Sequence, residues 1–430
     1  MSRHATLAGR LLVAAIAIGC SGEDAPGPMS PSPAAEAGSE RSRILGPFLE
    51  AHWTLPIPAQ GQPPAGFSKL DASLAPEDCG ACHPQQLADW RTSLHADAFS
   101  PGFAGQLIEG ANARPHALRA CQKCHNPLEE QQPFGPGPDH LARPEHDAAL
   151  RAAGLVCAGC HVRSHRRYGP PRRADLPPPT EALPHGGFEP RPEFEESRFC
   201  APCHQFFDRK GVNGKPIQNT YAEWKASPHA ARGETCQSCH MPDRRHLWRG
   251  IHDPEMVRNA VHVSWSGAEL DEERLRAQLR LESRGVGHAF PTYVTPRVHL
   301  DVWQEDAAGG EIAGTRERAT IGRKIDFSRG EEQMDTRVPP GGSFQLDYAR
   351  PRRRGAATLV GRVTVDPDFH YRGVFQGYLP GRKDERARTL IAEALRRSQT
   401  SAYTLVELRR PLPEPLPAEA GQPGGAPPGG

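Results

Sequence analysis

Ten of the eleven cysteines fall into five copies of one arrangement, C-x-x-C followed at once by histidine. The copies are Cys79, Cys82 and His83; Cys121, Cys124 and His125; Cys157, Cys160 and His161; Cys200, Cys203 and His204; and Cys236, Cys239 and His240. A zinc ribbon or a thioredoxin-like redox pair would need only the two thiols. The histidine decides: with 20 His in 430 residues, five such positions being His by chance has a probability of about two in ten million.

Two thiols at this spacing add to opposite vinyl edges of one porphyrin, and the next residue stands beneath the iron as its proximal axial ligand. The sequence therefore predicts five covalently bound haem c groups, held by the ten cysteines and ligated by the five motif histidines. No thiol of this set is left for a disulfide. Successive motifs begin 42, 36, 43 and 36 residues apart. Segments this short cannot bury a core of their own, so the haem faces are expected to form the core, packed near contact among short helices.

The second axial position separates electron carriers from enzymes. After Met1 the chain has four Met, at 29, 241, 256 and 334, too few for five irons. Fourteen His remain outside the motifs and the amino-terminal segment, enough for bis-His ligation. A repeat selects among them: W-x-x-S-x-H-A occurs at Trp90 to Ala96 and again at Trp224 to Ala230. Its spacing lets the indole pack on a porphyrin edge while the imidazole reaches an iron, so His95 and His229 are the first candidate distal ligands. In RHLWRGIHD, His252 is preferred over His246 because Gly250 permits close backbone approach. His288, in GVGHAFPT between flanking Gly and Pro291, is the fourth candidate.

The elements that must position these residues divide the chain. A basic flank and the apolar run 11–19 ending at Cys20 read as an export signal, residues 1–19, with Cys20 as the lipid-modified first residue of a lipoprotein. Ser21 after it favours the outer membrane by the common sorting rule, so the protein is expected to be exported and to face the periplasm or the cell surface. Residues 20–45, rich in Pro, Ser, Ala and Gly, read as anchor and flexible tether. A pentahaem domain follows over 46–261, largely helical or irregular because Pro and Gly make up about a fifth of the chain. From 262 to 410 there is no Cys and apolar residues alternate, as in Leu275, Ala277, Leu279 and Leu281, which predicts a β-sandwich-like domain interrupted by one helix over 384–398. Residues 411–430 read as a disordered tail. The fold class is thus mixed.

Residues from about 75 to 256 resemble the multihaem cytochrome c superfamily that contains tetrahaem cytochrome c-554, hydroxylamine oxidoreductase and the pentahaem nitrite reductases. The resemblance is carried by CGACH with Trp90 to Ala96, by FCAPCHQF, by TYAEWKASPHA running into CQSCHMP, and by the Gly250 to Asp253 segment. GVGHAFPT is similar to the loop such cytochromes carry at the head of a carboxy-terminal domain. The resemblance implies stacked haem pairs, bis-His carriers and distal His drawn from W-x-x-S-x-H. No motif here ends in Lys, as the catalytic haem of the nitrite reductases does, and five haems fall short of the eight of hydroxylamine oxidoreductase.

With Lys+Arg 52 against Asp+Glu 51, no charge excess draws the chain to nucleic acid. The expected function is electron transfer between a redox-protein donor and acceptor, with a lipid anchor in the membrane and no catalytic residue assigned. The alternatives are a reductase or oxidase of a small nitrogen compound or peroxide at one open-sited haem, and a lipoprotein whose β-domain docks a partner.

Overall fold

The computed structural model describes residues 39–111, 115–133, 146–175, 184–207, 211–270 and 273–413. The export segment, Cys20, most of the tether and the tail from 414 lie outside the described residues. Helix Glu40–His52 begins inside the stretch read as tether: Ser39 caps it by accepting from the Ser42 amide, and Gly46 with Pro47 kinks it. Its buried Leu45 and Leu49 join Trp53, Ile57, Trp90, Leu128 and Val156 in a common cluster. The amino-terminal half therefore has an apolar core of its own side chains, which corrects the expectation that haem faces alone would supply it.

Around that cluster the chain runs in short helices and turns. The first three strands, β1 (Val162–Arg163), β2 (Arg166–Gly169) and β3 (Glu189–Pro190), form one small sheet. After Ala260 the pattern changes. Strands β4 (Val261–Leu270), β5 (Arg274–Ser283), β6 (Arg297–Asp306), β7 (Glu317–Ile321), β8 (Arg323–Asp326), β9 (Glu331–Asp335), β10 (Ser343–Pro351), β11 (Ala356–Asp366) and β12 (Tyr403–Pro411) follow in order. They build a three-stranded sheet β10-β5-β4, a four-stranded sheet β12-β11-β6-β7 and the hairpin β8-β9.

Strand β5 buries every second residue, Leu275, Ala277, Leu279 and Leu281, as the period of two requires. These residues share one core with Val298, Leu300 and Val302 of β6 and Leu359, Val363 and Val365 of β11. The sheets meet face to face at Gly361, where a Cβ would lie 2.7 Å from the Trp265 ring and 3.1 Å from Leu279. The second face of β6 is covered as well: Trp303 lies between the guanidinium groups of Arg316 and Arg362, and Arg318 pairs with Asp301.

Two helices, not one, separate β11 from β12: Phe369–Tyr378 and Glu385–Thr400. They leave the sheets and pack on helix Pro101–Ala111 of the amino-terminal half. At Gly102 a Cβ would come within 2.4 Å of Phe375, and at Gly105 within 2.9 Å of Ile391, so glycine is what permits the approach. No helix among the described residues is long and apolar enough to cross a membrane.

Candidate functional site

Each C-x-x-C-H lies on a helical turn. Cys157–His161 and Cys236–His240 are helices in their own right, Ala201–His204 and Pro115–His125 end on their motif histidines, and Pro76–Gly80 carries Cys79. Residues i and i+3 of a helix share a face, with i+4 beside them. The turn thus aims both thiols and the imidazole the same way, and His83 and His204 keep that turn by donating backbone bonds to the Cys79 and Cys200 carbonyls at 3.0 and 3.1 Å.

All ten of these thiols and all five motif imidazoles line one connected cavity of about 2640 Å³. A pocket for a single small ligand is about 300–1,000 Å³, so this space fits several large flat groups. Among the described residues no three His, Cys, Asp or Glu gather into a metal cage, so the donor set suits a porphyrin better than a structural zinc. The thiols of different motifs also meet. Cys79 neighbours Cys157, Cys200 neighbours Cys236, and Cys124 neighbours Cys203. The motif at Cys200–His204 therefore touches two others.

Ring nitrogens separate candidate ligands from structural histidines. His125, His161 and His240 donate from Nδ1 to the carbonyls of Ala98, Tyr168 and Arg249, at 2.7, 2.7 and 2.6 Å. Outside the motifs, His185, His246 and His288 do the same to Gly187, Arg244 and Ala289, at 2.9, 3.1 and 3.0 Å. A tethered Nδ1 fixes the ring and leaves Nε2 to a metal. His52 and His165 are the reverse: each spends Nε2 on a backbone carbonyl, of Cys160 and Gly61.

Three pairs of rings stand at nearly one separation. His95 and His204 have centroids 6.3 Å apart, His161 and His246 6.1 Å, and His240 and His288 6.3 Å with planes 9° apart. Metal–imidazole bonds of about 2 Å on either side of one ion put ring centroids roughly 6 Å apart. Trp248, in the left-handed region at φ 41°, stands edge-on to both His95 and His246 at 4.7 and 5.1 Å and holds those two rings in place. Burial pushes His95 down to about 3 and His161, His204 and His288 down to about 4, each helped by neighbouring imidazoles. His83 is lowered by burial and then by His185. The cavity keeps these rings neutral, the form that binds a metal.

The W-x-x-S-x-H-A repeat has a further use beside the one expected. The Trp90 indole donates to the Leu155 carbonyl and the Trp224 indole to the Glu234 carbonyl, both at 2.9 Å. In return the amides of Leu155 and Glu234 donate to the carbonyls of His95 and His229, both at 3.0 Å. Leu155 and Glu234 each stand two residues before a motif cysteine and directly after a glycine, Gly154 or Gly233, at φ +68° or +77°. The tryptophans clamp the approach to a motif. The shared G-x-x-C-x-x-C-H at 154 and 233 was the signal available for this in the sequence.

Of the four candidate distal residues, His95 and His288 face motif histidines. His229 lies beside Gly287 on the cavity wall, with Nδ1 donating to the Glu234 carboxylate at 2.6 Å, which by the same rule leaves Nε2 to a metal, and stands in none of the three ring pairs. His252 has Nε2 engaged by Asp368 at 3.1 Å, while His246, the less favoured of its segment, stands opposite His161. The Asp89 carboxylate fixes the backbone at His246, accepting from its amide at 3.0 Å and from Arg245 at 2.7 and 2.6 Å. His185 was not singled out from the sequence at all.

The short motif helices around a common cavity, joined to a sheet-rich carboxy-terminal part, give the chain a fold shared with a solved multihaem cytochrome. It is similar in structure to a penta-heme cytochrome c552 from Thermochromatium tepidum, with a TM-score of 0.57 and 18% identity, covering 80% of this chain and 100% of that one. In sequence it is 25% identical over 221 residues to the cytochrome c nitrite reductase subunit NrfA of Nitratidesulfovibrio vulgaris, strain Hildenborough, a match that covers 42% of this chain and 39% of that protein. No protein-family model matches the chain. Sequence and fold together support its place in the multihaem cytochrome c superfamily.

Proposed function

We propose that the chain is a pentahaem electron-transfer protein in which at least three haems are held between two imidazoles. Haem supplies one-electron chemistry at an iron whose potential its two axial ligands set. The residues supply the rest: the ten cysteines fix five rings, and the pairs His204 with His95, His161 with His246 and His240 with His288 hold them from both sides. His185, which lines the same cavity with its Nδ1 tied to Gly187, is the candidate partner offered to His83. The observation that carries this reading is the common separation of the three ring pairs inside one cavity lined by every motif. The thiol neighbours put the first motif next to the third and the fourth next to both the second and the fifth. The exported, lipid-anchored placement read from Cys20 belongs to the same proposal and would bring this wire to redox-protein partners. The test is a haemochrome assay combined with the spin state of the oxidised holoprotein. Five haems per chain and a spectrum dominated by low-spin iron support the reading; two haems or fewer, or mostly high-spin iron, overturn it.

A second reading concerns Cys121–His125. His125 stacks on Phe103 at 4.2 Å, and among the described side chains no imidazole pairs with it. An exchangeable ligand would act there, as in a reductase of a small nitrogen compound. One high-spin haem that shifts on adding nitrite or hydroxylamine, and is abolished in a Cys121→Ser, Cys124→Ser variant, would favour it.

A further inference from the structure

The His288 ring enters the cavity from the sheet-rich part of the chain, so something must hold its loop against the motif helices. Helix Thr220–Lys225 carries Glu223, whose Oε2 accepts from the Ala289 amide and from the Thr292 hydroxyl, both at 3.1 Å. Its Oε1 accepts from Arg337 at 3.0 Å, and the same nitrogen of Arg337 donates to the Thr292 carbonyl at 3.2 Å. Both side chains are largely buried, Arg337 at 8% and Glu223 at 14% exposure.

We propose that Glu223 and Arg337 are positioning residues for His288, one from the haem-bearing half and one from the sheets, clamping the Gly287 to Thr292 loop so that the imidazole stands opposite His240. The inference rests on His288 being an axial ligand.

Three further contacts leave the loop little freedom. Phe290 exchanges backbone bonds with Val338 at 2.8 and 2.9 Å, which ties it to the segment that carries Arg337. The Thr292 hydroxyl also meets that of Thr220 at 2.8 Å. At Gly287 a Cβ would stand 3.2 Å from Trp224 and 3.4 Å from His229, so the loop is pressed against the helices that follow Glu223. Arg337 is itself aimed by Asp335, to which its Nε donates at 2.8 Å and Nη2 at 3.0 Å. A buried carboxylate receiving three donors is a stiff acceptor. Removing it leaves the Ala289 amide without its acceptor and Arg337 with Asp335 and the Thr292 carbonyl alone, and lets the loop recede. The C-terminal part is then a contributor to the redox site, and the potential of the fifth haem depends on this clamp.

The test uses the full-length ferric holoprotein and cyanide, which takes an axial position only when the protein ligand leaves. His288→Ala comes first and is expected to convert one haem to high spin; if the iron stays low-spin throughout, the ligand reading itself falls. With that established, Glu223→Ala is expected to raise the rate of cyanide binding at a single haem about tenfold, the equivalent of losing one charge-assisted hydrogen bond. Thr292→Val, nearly isosteric and removing one donor, is expected to act in the same direction by severalfold. It decides the matter alone if Glu223→Ala does not fold. Cyanide binding in both folded variants indistinguishable from the parent, with His288→Ala high-spin, would overturn the clamp and leave the ligand in place.

Discussion

The indole of Trp90 donates to the carbonyl of Leu155 at 2.9 Å, and the amide of Leu155 closes the circuit on the carbonyl of His95. Trp224 and Glu234 repeat the circuit on His229. A seven-residue sequence repeat thus has a structural duty: it fixes the chain two residues ahead of Cys157 and of Cys236.

Trp90→Phe removes this buried bond while keeping most of the apolar surface. We expect a loss of about 0.5–1.5 kcal/mol, seen as a Tm lowered by roughly 1–4 °C, and an unchanged visible spectrum. Trp224→Phe should behave alike. Thermal unfolding followed beside absorption of the oxidised protein checks both, and a shifted haem spectrum without a fall in Tm would show the porphyrin-edge role to be the main one.

His246→Ala should turn one haem from low to high spin, because His246 stands opposite His161 with Nδ1 tied to Arg244. His252→Ala should leave the spin state alone and release Asp368 instead. Electron paramagnetic resonance of the two ferric proteins separates them. The reverse pattern would reinstate His252 as the ligand.

Acid should loosen the join between the hairpin β8-β9 and the turn at 212–216. Burial alone would raise the Asp335 carboxyl, but Arg337 and Lys215, both hydrogen-bonded to it, hold it well below the usual carboxylate range. Arg323, fully buried, pairs with Glu332 and donates to the Val212, Lys215 and Pro216 carbonyls in the same join. Since the folded value lies beneath the ordinary aspartate value of about 3.9, the contribution of Asp335 is complete above that pH and is lost as pH falls below it. Hydrogen exchange over 212–216 should quicken between about pH 4 and lower pH. Asp335→Asn should exchange quickly at neutral pH and lose that pH dependence.

Gly105→Val should destabilise the chain by about 1–3 kcal/mol through overpacking, because a Cβ there would already lie 2.9 Å from Ile391 and 3.2 Å from the Ala387 carbonyl. Denaturant unfolding measures it. Adding Ile391→Ala in the same chain should recover part of the loss, and no recovery would mean that the two helices do not share this contact.

Much of the molecule was legible in the linear chain because its chemistry is local. Two cysteines and a histidine within five residues lie on one helical turn whatever surrounds them, so the candidate attachment residues could be read from spacing alone. The alternation in 275–281 and 298–302 likewise reports strands, since side chains of a strand point to opposite faces by geometry alone. The folded chain alone decided the choices made through space. His161 and His246 are 85 residues apart and His95 and His204 are 109 apart, and no periodicity links residues so distant. A carboxylate distant in sequence, Asp89, holds the backbone at His246, and a pair of glycines, Gly102 and Gly105, lets Phe369–Tyr378 and Glu385–Thr400 approach helix Pro101–Ala111. The C-x-x-C-H motifs are written in spacing; which imidazoles come face to face is decided by contacts, backbone carbonyls among them, that exist in position only once the chain has folded.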